Sequence, residues 1–370
     1  MDERVRRHAE TLVDWSARIE AGDDVIVSLD EGTHDLGVAV ARLLGERGAN
    51  PVFVRQSDEL TRAYLQGHEA FDGEFTADPA HELALCESAD AYLSIRGGHN
   101  TTAMADVPGE IRQAHAKATK AIRQARLATD WVATIHPTRS LAQQAGMAFE
   151  EYRDFVYDAI LRDWESLAEE MARMKEILDD GDEVRIVREG TDLTMSVAGR
   201  TAVNSAASVA YDSHNLPSGE VFTAPVEDSV EGEVHFDVPM TINDTRVRDV
   251  RLTFEDGEVV DFTAEAGETV LADLLDTDAG ARRLGELGIG MNRGIDRFTD
   301  NILFDEKMGE TVHLALGRAY DACLPEGESG NDSAIHTDMI TDMSGDSRLE
   351  VDGEVVQRNG TFRWEDGFEG

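Results

Sequence analysis

The feature that most constrains this chain is a change of period near its middle. Up to about residue 180, short apolar runs alternate with helical stretches. The runs are VIVSL (25–29), PVFVR (51–55), AYLSIR (91–96) and Trp131–Ile135 within DWVATIHPT. DLGVAVARLLGERG follows the first run and stops at Gly48, and a long helical stretch from Pro108 to about Leu127 precedes the fourth. Short apolar strands separated by helices specify a parallel α/β layer. From about Gly181 a period of two takes over. DEVRIVREGTDLTMSV breaks at Glu189-Gly190, and RLTFEDGEVVDF and RLEVDGEVVQRNGTF each set Asp-Gly between strand-like runs, a strong hairpin signal. The expected architecture is therefore α/β plus α+β. A Rossmann-like parallel α/β domain spans residues 1–180 and a β-rich domain spans 181–370.

Several function classes drop out at this level. The first strand is followed by DEGTHDLG, which lacks both GxGxxG and GxxxxGK[ST]; RGGHN after the third strand reads as a turn. Large apolar residues between Met147 and Leu178, such as Phe149, Tyr152, Phe155, Ile160, Trp164 and Met171, read as helix packing. The chain carries 75 acidic against 34 basic residues, a net charge of -41, and its only lysines are Lys117, Lys120, Lys175 and Lys307. The acids are spread through periodic sequence, so they form a solvated anionic surface that salt screening relieves. That pattern suits a halophilic protein in a salt-rich cytoplasm. It excludes nucleic-acid backbones as partners, because counterion-release binding needs clustered positive charge. Two cysteines without CxxC spacing exclude a thiolate zinc site. MDERVRRHAETLVDW has no apolar signal core, and no run approaches the ~20 apolar residues of a membrane helix, so a soluble, cytoplasmic protein with no membrane partner is expected.

The candidate chemistry lies in the β-rich half. SAIHTDMI places His336 and Asp338 two residues apart, on one face of a strand. That spacing alone decides nothing. With 75 acids in 370 residues, about two of the eleven histidines should have an acid at i+2 by chance, and three do: His8/Glu10, His235/Asp237 and His336/Asp338. Context carries more weight. Glu220 in NLPSGEVF, Glu286 in RRLGELGIG, His313 in TVHLALGRAY, and His336 with Asp338 all interrupt apolar or glycine-rich surroundings, where an unpaired charge is costly to bury. Such a mixed nitrogen and oxygen set suits zinc, cobalt or manganese. Converging carboxylates repel one another unless a cation sits between them, and a carboxylate-bridged metal pair makes a hydrolytic centre.

At these residues the chain resembles the aminopeptidase T and aminopeptidase S family of dinuclear metallo-aminopeptidases. The resemblance rests on NLPSGEVFTAPVEDSVEG (215–232), LGELGIG (284–290), FDEKMGETVHLALGRAY (304–320) and SAIHTDMI (333–340), with WVATIHPTRSLAQQAGM (131–147) in the first half. It implies that the β-rich domain is catalytic and binds two divalent ions per subunit (Co²⁺, Zn²⁺ or Mn²⁺). Glu220 would be a bridging ligand and Glu286 a second carboxylate, with His313, His336 and Asp338 completing the set and Tyr320 as the catalytic tyrosine. Glu306 would be a further ligand, with Glu310 as its rival because the spacing to His313 departs from the bacterial pattern. His336 and Asp338 fall within the family motif; His235 and Asp237 do not. The implied reaction is removal of N-terminal residues from short peptides by a homodimer, with Glu286 or Glu306 as proton acceptor. Two other classes share the same residues: a metal hydrolase of a non-peptide amide or ester, and a non-enzymatic protein binding cations or a small ligand.

Overall fold

The computed structural model describes residues 2–71, 73–242 and 245–369. The chain divides into two compact units, Met1–Leu161 with Ala207–Pro217, and Arg162–Ala206 with Ser218–Gly370.

The first unit is built on a five-stranded, wholly parallel sheet in the order Asn50–Arg55, Asp24–Leu29, Ala91–Arg96, Asp130–Ile135, Asn215–Leu216. The four apolar runs are its first four strands in sequence. In Asp24–Leu29 every residue after the first is buried, as expected of a parallel strand covered on both faces. Gly32 and Gly97 let two loops touch: Gly32 N donates to Gly97 O at 2.9 Å, and a Cβ on Gly32 would lie 2.4 Å from that oxygen. Packing therefore accounts for the first glycine of RGGHN. The stretch from Pro108 to Leu127 forms two helices, Gly109–Ala118 and Lys120–Leu127, instead of one. Asp78 makes the break: its amide donates to Ala118 O, and its carboxylate accepts from Ala121 N.

The second unit holds one long helix, Trp164–Asp180, and two antiparallel sheets. Relative to the boundary expected at 180/181, this helix belongs with the second unit, because it packs on the strands Val203–Ser205 and Glu220–Thr223. Ala207–Pro217 belongs with the first, where Asn215–Leu216 extends the parallel sheet. The larger sheet has nine strands and contains the expected hairpins. Thr245–Glu255 pairs with Glu258–Ala266, and Ser347–Val351 with Glu354–Arg358. Both turns place Asp and Gly at positive φ (Asp256 49°, Gly257 78°; Asp352 52°, Gly353 77°), the signature of a two-residue type I′ connection. The smaller sheet runs His336–Asp342, Thr311–Gly317, Leu284–Gly290, Glu220–Thr223, Val203–Ser205, antiparallel throughout. Every residue of Leu284–Gly290 and Thr311–Gly317 is buried. No helix among the described residues is long and apolar enough to cross a membrane.

Candidate metal centre

The register of the smaller sheet collects the candidate residues. Glu286 stands opposite Ala315, and Ala315 opposite Asp338, so two carboxylates flank one small residue in a single row. His313 is two residues from Ala315 and faces Gly288; Glu220 faces Gly290; His336 is two residues from Asp338. Alternate residues of a strand share a face, so all five polar side chains project from the same side. Gly288, Gly290 and Ala315 leave that face clear. At Gly288 this is obligatory: an added Cβ would lie 1.9 Å from His313 Nε2, because the imidazole lies over the bare backbone. The glycines of LGELGIG thus make room for the histidine of the next strand.

The side chains converge tightly. His313 Nε2 is 3.1 Å from Glu286 Oε1 and 3.6 Å from Glu220 Oε2. His336 Nε2 is 3.4 Å from Glu286 Oε2 and 3.5 Å from Asp338 Oδ1. Two donor sets result, each with its ligand atoms within 4.8 Å of one another: Glu220, Glu286 and His313, and Glu286, His336 and Asp338. Glu286 is common to both. His336 Nδ1 lies 2.8 Å from the Arg318 carbonyl oxygen, which can only accept, so the ring donates from Nδ1 and turns Nε2 toward the carboxylates, where loss of the Nε2 proton would free that nitrogen to ligate a cation. Glu286 Oε2 is buried without a hydrogen bond.

The electrostatics are those of a crowded anionic pocket. Burial raises the pKa of Glu220, Glu286 and Glu306 above the ordinary carboxylate range, against the pull of neighbouring cations. Asp338 is held low despite its burial, chiefly by His336 and then by His313 and Lys307. Burial alone would push His313 and His336 down; the carboxylates around them outweigh it and lift both to about 9. An excess of buried carboxylate oxygens beside correctly turned imidazole nitrogens, one oxygen unbonded, is a donor set that fits divalent cations.

Of the remaining candidates, Glu306 sits at the rim of the cluster and pairs with Lys307, whereas Glu310 points away and bonds Arg293 at 2.6 Å. Tyr320 is 46% exposed, its ring 4.8 Å from that of His336 and 5.7 Å from that of Phe222. Partial burial and then the nearby carboxylates raise its hydroxyl pKa, so it keeps its proton. His235 and Asp237 lie outside the cluster: His235 Nε2 is 3.3 Å from Asp249 Oδ1, and Asp237 pairs with Arg188 at 2.7 Å. Lys307 is the residue that sequence reasoning passed over. It is fully buried, with Nζ 3.3 Å from Glu220 Oε1 and bonded to Glu306. Its only sequence signal is that a lysine stands at all in FDEKMG, in a chain whose other basic residues are nearly all arginine.

Known proteins resemble this chain along nearly its whole length. Residues 1–362 match the family described as thermophilic metalloprotease (M29). Aminopeptidase 2 of Geobacillus stearothermophilus is 30% identical, with 98% of each chain covered. Aminopeptidase T of Thermus aquaticus is 28% identical over 95% of this chain and 94% of its own. The solved structure of wild-type AmpT from Thermus thermophilus superposes with a TM-score of 0.83 at 27% identity, covering 97% of this chain and 99% of that one. The chain belongs to the M29 family of metalloproteases and is a metal-dependent enzyme that hydrolyses peptide bonds.

Proposed function

We propose that this protein is an aminopeptidase that releases N-terminal residues from short peptides at a centre of two divalent ions, Co²⁺, Zn²⁺ or Mn²⁺, working as a cytoplasmic homodimer. The observation that carries the two-ion reading is the pair of donor sets sharing Glu286. Glu220, Glu286 and His313 would hold one ion, and Glu286, His336 and Asp338 the other. Glu286, common to both sets, would serve both ions, a role that the resemblance gave to Glu220. When bound, divalent ions supply Lewis acidity that polarises the scissile carbonyl and eases deprotonation of water.

The chain's own groups do the rest. Glu306, at the rim beside Lys307, accepts the proton of the attacking water and delivers it to the leaving amine. Tyr320 keeps its proton because its pKa is raised, so its hydroxyl donates to the oxyanion that develops on the scissile carbonyl. Such a donor is typically worth about 10²–10³ in kcat, which is the loss expected for Tyr320→Phe.

The test is hydrolysis of leucine p-nitroanilide in molar KCl, before and after chelation, with the divalent ions added back singly. High salt keeps a chain of net charge -41 from repelling itself apart. The reading expects activity lost on chelation, restored by metal and absent on the N-acetylated substrate. Equal activity on the blocked substrate would instead indicate a hydrolase of amides or esters that does not require a free amine.

A further inference from the structure

A cavity of about 580 Å³ lies beside the cluster, along the open edge of the His336–Asp342 strand, the outermost of its sheet. Its wall includes His336 and Asp338, so whatever enters it adjoins the candidate ligands. The backbone there is available. Arg318 N donates to Ile335 O, so in this antiparallel ladder Ile335, Thr337 and Met339 aim their main-chain groups at the neighbouring strand, and those of His336 and Asp338 face the open side. Val238 N donates to Ile340 O and closes the edge only at its far end.

Most of the remaining wall is apolar, with Met240, Phe298, Ile302 and Ile340 among its residues. Its other carboxylates are already engaged. Asp300 pairs with Arg246 at 2.9 Å and accepts from Thr241 Oγ1; Asp305 is buried and accepts from Thr299 N, Thr299 Oγ1 and Asn301 N. No lysine or arginine lines the cavity among the described residues. An acidic side chain entering it would face three aspartates with no lysine or arginine in the wall to pair with, and His336 already turned to Glu286 and Asp338, whereas an apolar side chain would exchange water for hydrocarbon.

We infer that this cavity receives the side chain of the substrate's N-terminal residue and selects apolar side chains over acidic ones. The inference rests on the aminopeptidase reading above. The peptide's main chain lies against the open edge at His336 and Asp338, which brings its first carbonyl to the cluster while the side chain turns to the apolar wall.

The experiment compares kcat/KM of the metal-loaded protein for leucine, glycine and glutamate p-nitroanilides in molar KCl. Wild type should favour leucine over glycine by about tenfold or more, with glutamate slower still. Ile302, 49% exposed at the wall, tolerates replacement without loss of core. Ile302→Arg places a cation in the cavity and should reduce the leucine-to-glutamate ratio by about tenfold at unchanged metal content. If that variant fails to fold or load metal, Met240→Lys introduces the charge from another part of the wall. A ratio within about twofold of wild type, in a folded variant that holds its metal, overturns the inference while leaving the aminopeptidase reading intact. Wild type that hydrolyses none of the three anilides overturns that reading and the inference with it.

Discussion

His8 in the first unit and His313 in the second are both fully buried, yet their surroundings drive them in opposite directions. His8, on the helix Glu3–Glu10, places Nε2 2.8 Å from the Thr134 hydroxyl and meets the Tyr157 ring edge-on. Burial, and then the proximity of His136, push its pKa down to about 3, so it is a neutral core residue. His313 is no better solvated, but Glu286 and Glu220 lie within 3.6 Å, and it is lifted to about 9. Burial therefore does not distinguish a site from a core; what is buried alongside does. A hydroxyl meets Nε2 of the first imidazole, its Nδ1 is buried without a hydrogen-bond partner, and among the described residues no charged group lies within bonding distance of it. The second unit gathers more carboxylate than two histidines and one lysine can settle, an arrangement that makes sense around cations.

Exchanging the two histidines should break the symmetry most visibly. His313→Gln is expected to lower kcat/KM by about 10³-fold or more, since it removes a proposed ligand from a hydrolytic centre. His8→Leu should leave activity per folded molecule within about twofold and act on stability instead, by about 1–3 kcal/mol through the orphaned Thr134 hydroxyl. Comparable losses of activity in both variants would erase the distinction. At Lys307 the expected effect falls on stability. With metal removed, Lys307→Met leaves buried Glu220 and partly buried Glu306 without their internal cation, and urea unfolding in molar KCl should show a loss of about 3–5 kcal/mol. With metal bound the loss should shrink, because the ions take over the compensation; an equal loss in both states would separate Lys307 from the metal centre.

The last contrast concerns pH. The folded pKa of His8, about 3, lies below its ordinary 6.5. As pH falls through that window the unfolded chain takes up the proton and the folded one does not. The neutral ring's contribution is thus complete above pH 6.5 and is lost as pH falls towards 3. Between those limits, stability plotted against pH should be shallower in His8→Leu than in wild type by about 1.4 kcal/mol per unit. Parallel curves would mean that the ring is charged in the folded protein.

These contrasts also show what the sequence could and could not reveal. Parallel strands such as Asp24–Leu29 were legible because burial on both faces leaves an unbroken apolar run, and the Asp-Gly turns because only certain residues suit positive φ. The break at Thr119 was hidden, since the carboxylate that makes it, Asp78, is remote in sequence. The return of Ala207–Pro217 to the first unit was hidden too, because a two-residue strand has no period to detect. Glu220, Glu286, His313, His336 and Asp338 each stood out as a charge interrupting apolar or glycine-rich sequence, and the fold brings those five together. Local sequence could not separate Glu306 from Glu310. It could not mark Lys307 either, since a buried lysine and a surface lysine look alike until the partner strand carrying Glu220 is in place.

The most direct test of the central claim is the metal content of the purified protein after exhaustive desalting in molar KCl, measured by elemental mass spectrometry alongside Glu286→Ala. The two donor sets predict two divalent ions per chain in wild type and the loss of both in the variant, because Glu286 serves both sets. Wild type that retains no ion, or a Glu286→Ala protein that retains as many as wild type, would contradict the account.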